Sequence, residues 1–356
     1  MSKLRFALVA VFTLVATFQV LAVAFAEELP ALYRGVRPLG MGGAFLTLSD
    51  DENALFYNPA GLNDVKGFGG MGILNPEAGL SKESIDLYRD IKDVEGTDTT
   101  QVINLLQKHV GEHVHARATL FPHVYLHNFA IGVLGQGTMD LEVRNPAFPE
   151  AVSDVKVDAG GVVGGAIGLW DRTVQLGVTG KYVQREGIKR TFQPTDIVVD
   201  FDPFANRIKA HDVAFDAGIK LNAPVLLKPS LAVVLQNITD LDFDTLGVIP
   251  QQLNIGVGIH PDFWILDNRL VIEVDDVTKQ VGSDKDFYKR VHMGAEVKLP
   301  MILALRVGVN QGYYTAGATI DLWILKLAAA TYAEEVGAFA GQRADRRYVA
   351  QLSLGF

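Results

Sequence analysis

The sequence predicts an all-β fold: a transmembrane antiparallel β-barrel of about 14 strands with an N-terminal plug and a small helical outer-loop insert. Three observations lead to this fold class. Apolar residues alternate with small or polar residues over many segments of about ten residues. The connections between these segments alternate between short and long, and the final segment ends in Phe356. A soluble β-sandwich shares the alternation, but it has no reason to sort its loops by length.

The composition excludes several classes of function. The chain has 356 residues, 35 glycines, no cysteine and a formal net charge of −9. An acidic protein lacks the basic face that nucleic acid requires, so no nucleic-acid partner is expected. The absence of cysteine excludes disulfides, thiolate metal sites and a thiol nucleophile. The many glycines suit closely packed strands.

The first 26 residues have the pattern of a secretory signal peptide. Lys3 and Arg5 precede an apolar run from Phe6 to Phe25, and small residues around position 26 provide a cleavage site. Beyond this run, no apolar stretch of about 18 residues remains, so helices are not expected to cross a membrane. The predicted organisation is a signal peptide at 1–26, a plug at 27–66 and a barrel at 67–356.

The predicted plug contains two unusual motifs. The first, LGMGGAF from Leu39 to Phe45, allows positive φ angles and close approach of other backbone. The second, NPAG from Asn58 to Gly61, is a turn signal with a preset proline. Together they predict a compact, loop-rich segment that presses against other parts of the chain.

These motifs resemble the N-terminal plug of the FadL/TodX family of outer-membrane hydrophobic-compound channels. PorV-like and TraF-like outer-membrane barrels share the same opening. By this resemblance, the glycine-rich lead and the NPA turn hold the plug against the barrel wall and take part in gating; the alternative is that they only fold the plug. The residues that match are Gly40, Gly42, Gly43, Asn58, Pro59 and Ala60.

Alternation along the chain defines the individual strands. The clearest case is 173–182, where Val178 and Tyr182 share one face and Thr179 and Lys181 share the other. The predicted strands are 67–74, 114–125, 129–144, 154–169, 173–187, 207–221, 229–237, 251–260, 269–277, 288–298, 303–310, 313–322, 325–333 and 346–356.

Aromatic residues are placed as two interfacial girdles. The tryptophans fall at the short turns, which we assign to the periplasmic side, and several tyrosines fall near the outer strand ends. The residues are Trp170, Trp264 and Trp323, then Tyr182, Tyr288, Tyr314, Tyr332 and Tyr348.

The segment 81–113 departs from the β pattern and predicts two short amphipathic helices at the outer mouth. Their apolar faces suit an outer lid or an entry groove for an apolar ligand, and a structural cap on neighbouring loops is the alternative. The candidate lid residues are Ile85, Tyr88, Ile91, Val102 and Leu106.

The last strand carries a candidate assembly signal. An alternating apolar face that ends in a phenylalanine resembles the signal that the outer-membrane barrel assembly machinery recognises. The residues are Tyr348, Leu352, Leu354 and Phe356. That machinery is therefore an expected partner.

Two groups of polar residues are candidates for a metal site or a catalytic site. The histidines at 113, 115, 123 and 127 lack cysteines or a paired HExxH motif, so polar lumen or loop residues are favoured over a metal site. An acidic run, Glu273, Asp275 and Asp276, lies one strand from His292 and Glu296. A ladder of paired lumen charges is favoured over a hydrolase, because no GxSxG elbow is present. No enzyme activity and no cofactor are predicted.

The resemblance implies a plug-gated channel for passive uptake of hydrophobic small molecules of the fatty acid or hydrocarbon type. The implied location is the outer membrane of a Gram-negative bacterium, reached through the cleaved signal peptide. Besides the assembly machinery, the expected partners are outer-membrane lipid, lipopolysaccharide and a hydrophobic ligand. The alternative function is that of PorV-like or TraF-like envelope proteins, which dock or shuttle protein partners without transporting small molecules. Modest outer loops favour the channel.

Overall fold

The structure is a computed structural model that describes residues 28–92, 94, 98–200, 206–263, 266–281, 286–300 and 302–355. The predicted signal peptide, residue 27, Trp264 and Phe356 lie outside the described residues, so the expectations for them stay predictions.

The predicted barrel is confirmed: fourteen antiparallel strands form a closed cylinder. Each strand pairs with the next in sequence, and the last closes on the first, with Arg347 opposite Ser81. The strands are β1 (Gly70–Leu74 and Pro76–Ser81), β2 (His113–Leu120 and His123–Leu126), β3 (Phe129–Arg144), β4 (Glu150–Leu169), β5 (Val174–Phe192), β6 (Ile208–Asn222), β7 (Ser230–Gln236), β8 (Gln252–Ile259, continued by Asp262–Phe263), β9 (Leu266–Val274), β10 (Val291–Lys298), β11 (Leu303–Asn310), β12 (Tyr313–Asp321), β13 (Leu325–Glu335) and β14 (Ala344–Gly355).

The strand alternation sorts apolar side chains outward and polar side chains inward. On β5, Val178 and Tyr182 are 63% and 48% exposed, whereas Thr179 and Lys181 beside them are buried in the lumen. Successive side chains of a strand point to opposite faces, so one sequence pattern builds both surfaces. The outcome is an apolar outer face around a polar lumen, as a membrane-spanning barrel requires.

Strands β3, β4 and β5 are 16, 20 and 19 residues long. A membrane-spanning strand needs only about 9–11 residues, so their outer ends project beyond the bilayer. Helices α3 (Thr99–Lys108) and α4 (Pro194–Asp200) pack on these projecting ends, whereas α2 (Lys82–Ile91) lies against β1, β2 and β14. Ser81 caps α2 by accepting from the Ser84 amide, and Asp98 caps α3.

The N-terminal segment lies inside the lumen, as the plug prediction requires. It contains helix α1 (Val36–Gly40) and the 3₁₀ helices Glu52–Leu55 and Pro59–Asp64. A short hairpin of Leu241–Asp242 and Val248–Ile249 folds in from the outer end. In the described part of the chain, no helix has the length and apolar character needed to cross a membrane.

The predicted end of the first strand at residue 74 is wrong. The strand is interrupted by a register shift between Gly72 and Leu74 and then continues from Pro76 to Ser81. Asn75-Pro76 has the composition of a turn, but the Asn75 side chain replaces the missing strand partner by bonding to the Phe121 backbone on β2. A side-chain substitute of this kind cannot be identified from strand periodicity.

The girdle prediction holds for some aromatics and is wrong for Tyr332. Trp170 and Trp323 are largely exposed at the periplasmic turns, and Tyr314 and Tyr348 face outward on their strands. Tyr332 instead faces the lumen and is buried against Val36 and Leu39 of the plug. Position near an outer strand end did not fix its face, because the face depends on the register of β13.

Candidate functional site: the interface between plug and barrel wall

The glycine-rich lead of the plug lies directly against the wall. Gly42 and Gly43 have φ angles of 70° and 85°, a conformation that other residues rarely adopt. The chain bends sharply there, so the Gly42 carbonyl accepts from His292 Nδ1 at 2.8 Å and the Gly40 carbonyl accepts from Thr315 at 3.1 Å. The plug backbone therefore approaches the wall closely at the turn that contains Gly40, Gly42 and Gly43.

The Asn58-Pro59-Ala60 turn presses on the opposite side of the lumen. Asn58 begins a 3₁₀ helix, accepts from the Ala60 amide at 3.1 Å and donates to the Leu46 carbonyl at 2.8 Å. The wall residue facing it is Gly177, where a Cβ atom would collide with the backbone of Pro59 and Ala60. This part of the plug is thus fitted to a wall that lacks side chains.

On one side of the lumen, charged groups hold the plug. Arg37 donates to both carboxylate oxygens of Glu296 on β10, at 2.9 and 2.7 Å, and also contacts Asp50 and Asp51 at 2.6 Å each. Glu296 is fully buried and also accepts from Arg306 at 2.7 Å. Bidentate arginine–carboxylate pairs fix geometry as well as charge.

Two further ion pairs extend this network across the wall. Asp50 of the plug meets Arg269 of β9 at 2.7 Å, and Arg34 meets Glu334 of β13 at 2.5 Å. Burial alone would raise the pKa of Asp50, but Arg269 and Arg37 outweigh it and hold that pKa well below its usual range. We call these plug-to-wall pairs the polar anchor: Arg34, Arg37, Asp50, Arg269, Glu296 and Glu334.

On the other side of the lumen, the interface is built mainly from apolar side chains, with a few polar contacts such as those of Tyr33 with Glu77 and of Asp64 with Lys220. We call this cluster the apolar seam. Its plug members include Tyr33, Leu55, Phe56 and Leu62, its wall members include Phe121, Leu134, Val162 and Val183, and the hairpin adds Leu241, Phe243, Leu246 and Ile249.

The apolar seam spans the height of the barrel. At the outer end the hairpin closes it, and the Arg185 guanidinium lies 4.2 Å from the centre of the Phe243 ring. In the middle, the rings of Tyr33, Phe56 and Phe121 pack with centroids 4.9 to 5.6 Å apart. At the periplasmic end, the Leu62 carbonyl accepts from the Asn128 amide of the β2–β3 turn at 3.0 Å.

The apolar seam meets the wall interruption between β1 and β2. Asn75 donates to the Phe121 carbonyl at 2.6 Å and accepts from the Phe121 amide at 3.0 Å, so this one side chain holds the two strands together there. On the membrane side of the same strands lies a shallow groove of 600 Å³, lined by residues that include Ala78, Leu120 and Leu352.

A separate chamber of 440 Å³ occupies the periplasmic half of the lumen. Its lining is mainly polar and includes Asp51, Lys298 and Lys326, with Tyr125 and Met71 toward the apolar seam. The outer half contains a cavity of only 60 Å³ beside Tyr57 and Asp275. The plug lines both of these cavities.

The remaining candidate residues are dispersed. Val102 and Leu106 are buried against Val143 and Phe192, while Tyr88 and Ile91 are exposed and Ile85 is half-buried. Tyr348, Leu352 and Leu354 face outward on β14. The lid and assembly roles of these residues stay predictions.

The histidines lie in the lumen or at its ends. His113 contacts Asp345 at 3.0 Å and His115 contacts Asp140 at 2.6 Å. Across the described residues, no group of three or more His, Asp or Glu side chains is placed to hold a metal ion. Of the predicted ladder of lumen charges, Glu296 pairs with Arg306 at 2.7 Å and Asp276 pairs with Arg290 at 3.2 Å. Glu273 instead accepts from the Phe45 and Leu46 amides of the plug.

Arg37, Asp50 and Phe121 are central to the interface, yet sequence reasoning did not select them. The two arginines at 34 and 37, inside a segment predicted to lie in a polar lumen, were an available signal, because buried cations need partners. Nothing in the sequence marks Phe121, whose partners come from the plug.

No protein-family model matches this chain, and no curated protein sequence matches it. Among solved structures, the toluene transporter TbuX of Ralstonia pickettii is similar with a TM-score of 0.51 and 11% identity, over 90% of this chain and 97% of that one. The toluene transporter TodX of Pseudomonas putida has a TM-score of 0.48 and 10% identity, over 92% and 98%.

The similarity to TbuX establishes a shared fold, which in this chain is a 14-strand barrel with the N-terminal segment in its lumen. Both proteins are toluene transporters by description. The closed barrel with its apolar outer face supports an outer-membrane location.

Proposed function

We propose that this protein is a passive outer-membrane channel for hydrophobic small molecules, gated by its N-terminal plug. The observation that carries the proposal is the apolar seam, which runs from the outer hairpin to the periplasmic turn between β2 and β3. A channel for polar solutes has no use for an apolar route through a polar lumen.

The energetics favour passage along the apolar seam. An apolar molecule that separates two apolar surfaces of the seam covers both surfaces itself. Burial contributes about 25 cal/mol per Å² before and after, so the net free-energy cost of the displacement is small. Displacing the polar anchor instead would leave Glu296 or Arg269 buried without a partner, which is strongly destabilising. The plug is therefore proposed to yield on its apolar side while the polar anchor holds it.

The proposed route begins beneath the hairpin, where Phe243 and Leu246 close the outer end, with helices α2 and α3 beside the mouth. It ends at the wall interruption, where Asn75 bridges β1 and β2 and the 600 Å³ groove lies outside. An apolar cargo has little affinity for the polar 440 Å³ chamber, so sideways exit into the membrane is favoured over release into the periplasm.

In this proposal the glycine-rich lead and the NPA turn have different roles. Gly40, Gly42 and Gly43 seat the plug beside the polar anchor. Asn58, Pro59 and Ala60 seat it against Gly177 on the far wall. The alternative function, docking of protein partners, does not require an apolar seam inside the lumen.

The test is binding and uptake of labelled toluene and a labelled long-chain fatty acid. We expect saturable binding to the refolded barrel and uptake only by cells that carry it. Val183→Thr places a hydroxyl in the apolar seam and should lower uptake about tenfold, since burying an unpaired hydroxyl costs about 1–3 kcal/mol.

Val178→Thr is the matched control, because it makes the same exchange on the lipid-facing side of β5. Equal uptake by both variants would contradict passage along the apolar seam. Absence of ligand binding to a folded barrel would contradict the channel function.

A further inference from the structure

Two cavities of opposite character meet at the periplasmic end of strands β5 to β8. One is a polar cavity of 390 Å³ between the plug and the strand ends. The other is an apolar groove of 1100 Å³ on the membrane-facing side of β7 to β11, lined by residues that include Leu231, Val257, Ile272, Met293 and Val307. The two share Thr173, Asn222, Ala223 and Pro224 as a common edge.

Five lysine or arginine residues and four aspartates line the polar cavity, so its lining carries a small excess of positive charge. Asp64 pairs with Lys220 at 2.5 Å, and Asp50 and Asp267 both pair with Arg269, at 2.7 and 2.9 Å. Lys66, Arg172, Lys228 and Asp171 complete the charged lining.

Arg172 is the cation nearest the common edge along the chain. It directly precedes Thr173, and it makes no ion pair within 4.0 Å with the described residues. His260 lines the same cavity. Burial, Lys220 and Arg269 lower its pKa to about 4, and its Nε2 atom is buried without a hydrogen-bond partner among the described residues. An anionic group is therefore matched to this corner of the cavity.

The rim of the groove is an ordered loop, 223–229. The Ala223 amide donates to the Pro229 carbonyl at 2.9 Å, and the His260 amide donates to the Leu227 carbonyl at 3.0 Å, which ties the loop to the end of β8. Leu226 at the loop tip is 91% exposed, and Lys228 directly precedes the groove residue Pro229. The rim thus presents apolar and cationic side chains together at the membrane boundary.

We propose that this junction binds one anionic phospholipid of the periplasm-facing leaflet, with its phosphate beside Arg172 and Lys228 and its acyl chains in the apolar groove. The match is one of charge and position, because an apolar groove at acyl depth adjoins a basic corner at headgroup depth. The acyl chains would lie in the membrane-facing groove and not in the apolar seam, so the site does not depend on the proposed channel function.

The test uses the refolded full-length barrel in a neutral detergent, with retained lipid measured by native mass spectrometry. Phosphatidylglycerol and phosphatidylcholine of identical chains are supplied in equal amounts, and we expect preferential retention of phosphatidylglycerol. The double variant Arg172→Gln, Lys228→Gln should weaken that retention about 30-fold, since each cation near a membrane surface contributes about fivefold.

Lys82→Gln with Arg89→Gln, two cations of α2 at the other end of the barrel, is the matched control and should change nothing. Val257→Trp should fill the groove and lower retention of both lipids, whereas Val163→Trp on the outer face of β4 should not. Heat-modifiable gel mobility verifies that each variant is folded.

Three results would overturn the proposal. Equal retention of the two lipids would remove headgroup selection, and full retention by the Arg172 and Lys228 double variant would remove these residues from the site. Competition by inorganic phosphate as strong as that by phosphatidylglycerol would make the corner an anion site without a lipid.

Discussion

The polar anchor and the apolar seam hold the same plug against opposite walls of the same barrel, by different physics. In the polar anchor, Arg37 makes directional contacts with Glu296, Asp50 and Asp51 at 2.6 to 2.9 Å. In the apolar seam, Phe56 and Phe121 are held by burial of apolar surface, which is not directional. Removing one charged group from the polar anchor leaves its partners buried without a counter-charge. The apolar seam tolerates exchange of one apolar neighbour for another.

This difference suggests which side of a plug stays and which side moves. The proposed gate needs one part that keeps its position and another that opens for its cargo at low cost. The polar anchor on β9 to β13 fits the first part, and the apolar seam, most of whose wall members lie on β2 to β6, fits the second. If the two sides are as unequal as their contacts indicate, variants of the polar anchor should unseat the plug more than variants of the opposite wall.

The largest expected effect comes from removing the centre of the polar anchor. Arg37→Met leaves Glu296, Asp50 and Asp51 without their shared cation, which should destabilise the seated plug by about 3–5 kcal/mol. Channel recordings in planar bilayers should then show frequent openings to small ions. Arg89→Met, on the exposed face of α2, is the control. A variant as closed as the parent protein would show that the polar anchor does not hold the plug.

A smaller effect is expected where the plug meets a wall without side chains. Gly177→Ala places a methyl group against Pro59 and Ala60, and overpacking of this kind costs about 1–3 kcal/mol. Limited proteolysis should cut the plug faster in this variant. Gly161→Ala is well matched, because its Cβ would meet nothing within 4 Å. Identical cleavage of both variants would contradict the close fit of the NPA turn.

A still smaller effect is expected at Asn75, which bridges β1 and β2 at the end of the apolar seam. Asn75→Ala removes both hydrogen bonds to the Phe121 backbone and should cost about 1–2 kcal/mol locally. Hydrogen exchange at the Phe121 amide should accelerate while exchange in the middle of β5 stays unchanged. If sideways exit is correct, hydrocarbon uptake should rise in the same variant; slower uptake would argue for another exit.

The smallest effect near neutral pH is expected from titration of the polar anchor. The pKa of Asp50 is held below its usual range in the folded plug, so its stabilising contribution is fully present above the unfolded pKa and is lost as the pH falls below it. Ion leakage should therefore be flat from neutral pH down to the ordinary aspartate range and rise only in stronger acid. Asp50→Asn should abolish that rise. A rise beginning near neutral pH would assign the acid response to other groups.

Much of this molecule was determined by the sequence alone. Alternation along segments such as 173–182 fixes strand identity, because a strand's side chains point alternately to two faces and those faces meet different surroundings. Sorted loop lengths fix the two ends of the barrel, and the motifs around Gly42 and Pro59 fix a plug that needs close backbone contact. These are local or periodic properties, so one chain is enough to specify them.

Only the tertiary structure decided what the plug touches. The pairing of Arg37 with Glu296 joins residues 259 apart in sequence, and the contact of Tyr33 with Phe121 joins a lumen loop to a wall strand. The same reason explains the errors at Asn75 and Tyr332, whose conformation and face follow from strand register. Register and plug position are set by the closure of the whole cylinder, which no local pattern encodes, and they divide the lumen into the polar anchor and the apolar seam.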